Sequence, residues 1–145
     1  MTSHYVEHAN LPLSFFEMAQ IHPDKMLLAD KRNASWQQLT YGDVADRVRS
    51  LAAALSSFGI NKGDHIVICG ENRSEWAISD LAVMALGAIS VPAYTTNTID
   101  DHHYILTHSK AKLVLCTGGE VGSKMFTALS QISSDIPFIC FDTLS

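Results

Sequence analysis

The chain has no excess of basic charge, no apolar run long enough to span a bilayer and only three cysteines among its 145 residues. Lys and Arg number 10 against 15 Asp and Glu, a formal charge of −5. Nucleic-acid binding draws on clustered Lys and Arg that neutralise phosphates, so this balance excludes it as a leading class. The longest apolar region, 81–94, is broken by Gly87, Ser90 and Pro92, well short of the roughly 18 uninterrupted residues of a spanning helix. The opening Met1-Thr2-Ser3-His4 lacks the basic and apolar regions of a secretory signal. The cysteines, Cys69, Cys116 and Cys140, are odd in number and each closes or sits in a short apolar run. They read as small buried hydrophobes in a reducing cytoplasm.

Other absences narrow the chemistry. There is no internal repeat, no low-complexity segment and no G-x-S-x-G nucleophile elbow. The seven histidines assemble no ligand set: His102 and His103 are adjacent, and His103 and His108 are five apart rather than four. They read as solvated or locally bonded side chains. The carboxylates are scattered, with no pair positioned for acid–base work.

What is present is a globular composition, 47% apolar and 17% charged, in which helical and strand patterns alternate. Leu11, Phe15, Met18 and Ala19 predict a helix over 11–21, stopped by His22-Pro23. The runs 26–29 and 35–39 predict a β-hairpin around Lys31-Arg32-Asn33, with Asn33 as the residue of positive φ. Tyr41, Val44, Ala45, Val48, Leu51, Ala52, Leu55 and Phe58 fall at steps of three and four, one face of a helix. Thr40 is its expected N-cap, Asp43 stands in its first turn, and Gly59 fits the position just past its end. From residue 64 onward the order is strand 65–69, helix to 86, strand 88–91 closed by Pro92, helix 98–109, strand 112–116, helix 120–132 and strand 137–141. Asn72 and Glu75 have the spacing of a capping box. Most of these strands are continuous apolar runs, as in a parallel sheet covered on both faces. The expected fold is therefore α/β: a doubly wound, mostly parallel sheet with flanking helices and a small N-terminal antiparallel hairpin. Residues 1–40 would hold the first helix and the hairpin, and residues 41–145 the α/β unit.

Ligands in such sheets sit beyond the carboxyl ends of the strands. Three segments qualify: 70–73, 92–98 and 117–122. The last runs from a strand through Gly118-Gly119-x-x-Gly122 into a helix, with Asp142 ending a later strand. It approaches a dinucleotide fingerprint but lacks the G-x-G-x-x-G spacing, so a plain glycine turn into a helix is the favoured reading. The segment Pro92-Ala93-Tyr94-Thr95-Thr96-Asn97-Thr98 leads hydroxyls and amides into a helix N-terminus, which suits either an anion or simple capping. The apolar helix at 11–21 fits core packing, or contact with a membrane, lipid or partner subunit.

An ordered series of motifs adds a resemblance. Trp36-Gln37-Gln38-Leu39-Thr40-Tyr41, then Ala52-Ala53-Ala54-Leu55 with Phe58-Gly59 and Lys62-Gly63-Asp64, then Glu71-Asn72-Arg73-Ser74-Glu75-Trp76, occur in that order. Gly87 to Thr98 follows as G-A-x-x-V-P-x-Y-x-T-N-T, and Tyr104-Ile105-Leu106 with Ser109-Lys110-Ala111-Lys112 completes the series. Over residues 36–116 the chain resembles the N-terminal region of AMP-forming acyl-CoA synthetases, in particular the long-chain fatty acid–CoA ligases. The resemblance implies a parent that activates a fatty acid with ATP to acyl-AMP and then passes the acyl group to CoA, with Mg²⁺ assisting. It also implies a Ser/Thr/Gly-rich ATP loop ending in Lys, which is absent from these residues. An N-terminal piece, inactive alone and without catalytic or metal residues of its own, is therefore expected. Its partners would be the rest of the ligase chain and, in the parent, fatty acid and CoA, in a cytoplasmic protein with room for a homodimer and peripheral membrane contact. By the same resemblance, Thr95, Thr96, Asn97, Gly118 and Gly119 would lie on the CoA side. Two other readings stay open: a standalone nucleotide-binding domain using Gly118, Gly119, Gly122 and Asp142, and an oligomerisation module using 11–21.

Overall fold

A computed structural model describes residues 10–32, 34–133 and 135–143, and the chain divides into two compact units, Met1–Arg47 and Val48–Ser145. In the first unit, α1 (Leu11–Ile21) starts where the Asn10 side chain accepts a hydrogen bond from the Leu13 N–H at 2.9 Å. Pro12 sits in the first turn, where its missing N–H leaves no helix bond unmade. Of the predicted stripe, Phe15 and Ala19 are buried, Met18 is half-buried and Leu11 is exposed. The Phe15 ring stacks on Tyr41 with centroids 6.3 Å apart. Strands β1 (Met26–Arg32) and β2 (Ser35–Thr40) form the antiparallel hairpin, with Arg32 paired to Ser35 and a bulge between Met26 and Leu28. So short a link needs left-handed backbone, and Ala34 supplies it with φ +64°. Asn33, to which the sequence assigned that role, lies outside the described residues.

Helix α2 (Tyr41–Ser57) spans the division between the units. Thr40 and Asp43 cap it reciprocally. The Thr40 N–H and hydroxyl both donate to Asp43 Oδ2 at 2.9 Å, and the Asp43 N–H donates to Thr40 Oγ1 at 3.1 Å. These bonds to Thr40 hold the Asp43 carboxyl below its ordinary pKa. At the other end Gly59 has φ +84°, and the Ile60 and Gly59 N–H groups bond back to the Leu55 and Ser56 carbonyls. That is a Schellman turn, which a residue with a Cβ would strain. Val44, Ala45, Val48 and Leu55 are buried as the spacing predicts. Phe58 is not: it is 59% exposed, because it falls beyond the last helical residue, where the turn at Gly59 takes it off the helical face.

The second unit is built on four parallel strands, β3 (His65–Cys69), β4 (Ile89–Ala93), β5 (Leu113–Cys116) and β6 (Phe138–Cys140), in the spatial order β4-β3-β5-β6. Helices α3 (Ser74–Ala85), α4 (Ile99–Ser109) and α5 (Gly119–Ser130) make the crossovers. The step from β3 to β4 runs one way along the sheet and the steps to β5 and β6 run the other. Right-handed crossovers therefore put α3 on one face and α4 with α5 on the opposite one. Val67, Cys69, Val114 and Cys116 pack with Leu106, Met125 and Ala128 in one core. Ile66, Ile68, Leu113 and Leu115, alternating with them, are as fully buried. The fold is the expected doubly wound α/β sheet with its separate hairpin. No described helix is long and apolar enough to cross a membrane.

Two local expectations fail. Pro92 does not close β4 but lies inside it, opposite Ile68. β4 is an edge strand, and a proline can occupy a position there that needs no ladder donor. Asn72 does not cap α3. Arg73 is the N-cap and makes no side-chain capping bond, since a guanidinium has no acceptor to offer a helix N–H.

Candidate functional site

The direction of chain progression reverses between β3 and β5, so the crevice expected to take ligands lies beyond Cys69 and Cys116, which are register partners. The loops after β3 and β5 and the turn at Phe141–Thr143 converge there. The centre of the cluster is Arg73. Its Nε donates to Glu75 Oε2 at 2.9 Å, and its Nη1 donates to Asp142 Oδ1 at 2.7 Å and to Thr117 Oγ1 at 3.3 Å. The guanidinium carbon lies 5.9 Å from the Phe141 ring centre. The second carboxylate oxygen of Asp142 accepts the Gly118 N–H at 2.6 Å. The hydrogen bond to Glu75 and then that to Asp142 push the Arg73 pKa further up, and Arg73 with the Gly118 N–H holds the Asp142 carboxyl below its ordinary range.

This arrangement is closed on itself. Gly118 is the N-cap of α5, and its N–H is one of the donors a helix start offers to an anion. Here the anion is the chain's own carboxylate. The fingerprint-like residues Gly118 and Asp142 do meet, as the nucleotide-binding reading requires, but a phosphate at that N–H would have to displace Asp142. Gly118 admits the carboxylate because it lacks a Cβ, which would stand 2.6 Å from Asp142 Oδ2. Gly122 is buried against the Thr117 carbonyl and serves helix packing. Arg73→Lys keeps the charge and loses the planar fork. Backbone amides of β6 are expected to exchange with deuterium several-fold faster in that variant, while those of β3 hold, as read by hydrogen-exchange mass spectrometry.

The residues assigned to the CoA side fall into two groups. Thr95, Thr96 and Asn97 follow β4, in a turn where the Asn97 N–H bonds to the Tyr94 carbonyl at 3.2 Å. Gly118 and Gly119 follow β5. Strand β3 separates the two groups, a distance of about 10 Å at ordinary strand spacing. Thr98 does what capping predicts: its Oγ1 accepts from the Asp101 N–H at 3.2 Å, completing a capping box. Tyr94 is 78% exposed at the same edge.

The titratable groups bring two corrections. His102 is not solvated or locally bonded. It is fully buried, and neither ring nitrogen has a hydrogen-bond partner. Cys69 and Cys116 are buried as expected, but Cys140 is only half-buried because β6 is an edge strand. Among the described residues no group of three His, Cys, Asp or Glu is placed to hold a metal ion. The role of Arg73 escaped the sequence reading, since Asp142 stands 69 positions away. The only local trace was the Glu-Asn-Arg-x-Glu motif itself.

Fold and site together define an open, parallel-sheet α/β unit with its loops gathered at the switch point. The family model described as AMP-binding enzyme matches residues 15–139. The long-chain-fatty-acid–CoA ligase FadD15 of Mycobacterium tuberculosis is 31% identical over 131 residues, which are 90% of this chain and 21% of that protein. Fatty acyl-CoA synthetase A of Dictyostelium discoideum is 35% identical over 95 residues, 66% of this chain and 14% of that protein. Among solved structures, a benzoate CoA ligase from Burkholderia xenovorans superposes with TM-score 0.80 at 24% identity, over 95% of this chain and 27% of that one. The N-terminal domain of FACL13 from M. tuberculosis gives TM-score 0.82 at 20% identity, over 94% and 35%. The chain belongs to the AMP-binding enzyme family. It spans about a fifth of the length of the curated relatives that match it over most of its residues.

Proposed function

We propose that this chain is the N-terminal part of a ligase that joins a long-chain fatty acid to CoA through an acyl-AMP intermediate. The observation that carries the reading is the family match over 15–139, together with the short share of each relative that the chain covers. In the parent, ATP and Mg²⁺ supply the activating phosphoryl chemistry and CoA the accepting thiol. The residues here do not fit ATP or Mg²⁺: the donor at the start of α5 is held by Asp142, and no described cluster suits a metal. The role of this part is structural. Its four-stranded sheet forms one wall of the ligase, and its carboxyl edge, with Thr95, Thr96, Asn97, Gly118 and Gly119, faces the CoA side.

The exposed Tyr94, Tyr104 and Phe126 support a surface covered by the rest of the ligase chain. The 145-residue chain is expected to give no ATP–pyrophosphate exchange with fatty acids of any length. Exchange clearly above background from the purified chain contradicts its inactivity. The nucleotide-binding alternative is served by the same preparation, since it requires NAD or ATP to bind tightly and to displace the Asp142 carboxylate from Gly118.

A further inference from the structure

The three cysteines, far apart in sequence, form one row. Cys69 on β3 is the register partner of Cys116 on β5, and Cys116 is the register partner of Cys140 on β6. In-register residues of parallel strands point to the same face. Phe138, two residues before Cys140, packs on the same core as Cys69 and Cys116, which places all three side chains on the α4–α5 side. Neighbouring strands stand about 4.8 Å apart, inside the range of Cα separations that a disulfide accepts. Cys69 and Cys140 are two strands apart and cannot be joined directly. Cys116, in the middle, can reach either neighbour.

Access separates the two pairs. Cys69 and Cys116 are fully buried and share a hydrogen bond. Cys140 is half-buried at the sheet edge, with its sulfur 4.0 Å from Asp142 Oδ2 and 3.3 Å from where a Cβ on Gly118 would stand. A small oxidant meets Cys140 first.

We propose that Cys140 and Cys116 form an oxidation site in which hydrogen peroxide oxidises Cys140 and Cys116 resolves the product to an intramolecular disulfide. The Cys140 sulfur attacks the peroxide oxygen, the O–O bond breaks, and hydroxide leaves as water after taking the thiol proton, giving a sulfenic acid. The Cys116 sulfur then attacks the sulfenyl sulfur, the S–O bond breaks, and a second water leaves. Two thiols lose two electrons and one peroxide is reduced to two waters. The hydrogen bond with Cys69, then burial, holds Cys116 protonated with its pKa raised, so the second step is the slow one. The product ties β5 to β6 beside the Gly118–Asp142 contact.

Trypsin separates the three residues, because Lys62, Arg73, Lys112 and Lys124 place Cys69, Cys116 and Cys140 in peptides 63–73, 113–124 and 125–145. The reduced 145-residue chain, kept dilute, is treated with hydrogen peroxide, blocked with N-ethylmaleimide and mapped. The expected result is a monomer lighter by about 2 Da before blocking and, after blocking of the unfolded chain, 113–124 joined to 125–145 with 63–73 carrying the maleimide. Cys140→Ser, at the sheet edge, is expected to slow peroxide consumption roughly ten-fold. Cys116→Ser is expected to leave a sulfenic acid on Cys140 that dimedone traps. A Cys69–Cys116 link, a disulfide found only between chains, or wild-type oxidation of Cys140→Ser each overturns the proposal. The wild-type map alone decides the matter if Cys116→Ser fails to fold.

Discussion

His102→Leu is expected to stabilise the chain at neutral pH, by about 1–3 kcal/mol, the cost of two buried polar atoms left without partners. His102 is completely buried in α4, and neither ring nitrogen finds a partner. Leucine is similar in volume and carries no polar atom, so the change removes a penalty without opening a cavity. The gain is expected to grow in acid. Burial, aided by Lys124 and opposed by Asp101, lowers the His102 pKa from its ordinary 6.5. The unfolded chain therefore takes up a proton at this residue as pH falls through 6.5, while the folded chain resists it. Stability conferred by the wild-type residue is lost from that point downward, until the lowered native pKa is passed. Urea unfolding of both proteins at pH 7.5, 6 and 5 checks this. The difference between them widens toward pH 5 if the account holds. A constant difference would mean that the imidazole is charged or bonded in the native state.

Gly122→Ala is expected to cost about 3 kcal/mol or more and to detach the first turn of α5. A Cβ on Gly122 would stand 2.6 Å from the Thr117 carbonyl oxygen. That atom is backbone, and the Thr117 N–H is itself bonded to the Cys69 carbonyl at 2.9 Å, so the strand end cannot yield without breaking the sheet. Gly119→Ala is the internal control. Gly119 has φ +62° but nothing within 4 Å of an added Cβ, so only the left-handed backbone is strained, at about 1–2 kcal/mol. Denaturation midpoints of the two variants separate packing from backbone conformation. Equal losses would refute the close approach at Gly122.

Where local chemistry decides, the sequence was readable. Thr40, Asp43 and Gly59 bracket α2 as their types require, and Thr98 with Asp101 starts α4. The continuous apolar runs at 65–69 and 113–116 told of a sheet covered on both faces, and they became its two central strands. What failed depended on neighbours distant in sequence. Asn72 looked like a cap, but α3 starts one residue later with Arg73 as its N-cap, and the Arg73 side chain reaches across the sheet to Asp142. Pro92 looked like a strand end, and only the strand order shows that it lies on an edge. His102 was grouped with the other histidines as solvated or locally bonded because they assemble no ligand set, yet its helical position turns it inward with Leu106. The site was legible as a set of loops at strand ends. That Gly118 and Asp142 satisfy each other, so that the start of α5 is occupied by the chain's own carboxylate, became visible only in three dimensions.

The central claim, that this chain is one part of a ligase, is tested most directly by the mass of the native gene product, detected in its source cells with an antibody raised against these residues. The expected band is several times heavier than the 15.9 kDa of this chain, in line with the small share of FadD15 that the chain covers. A band at 15.9 kDa would contradict it and turn attention to a free-standing member of the fold.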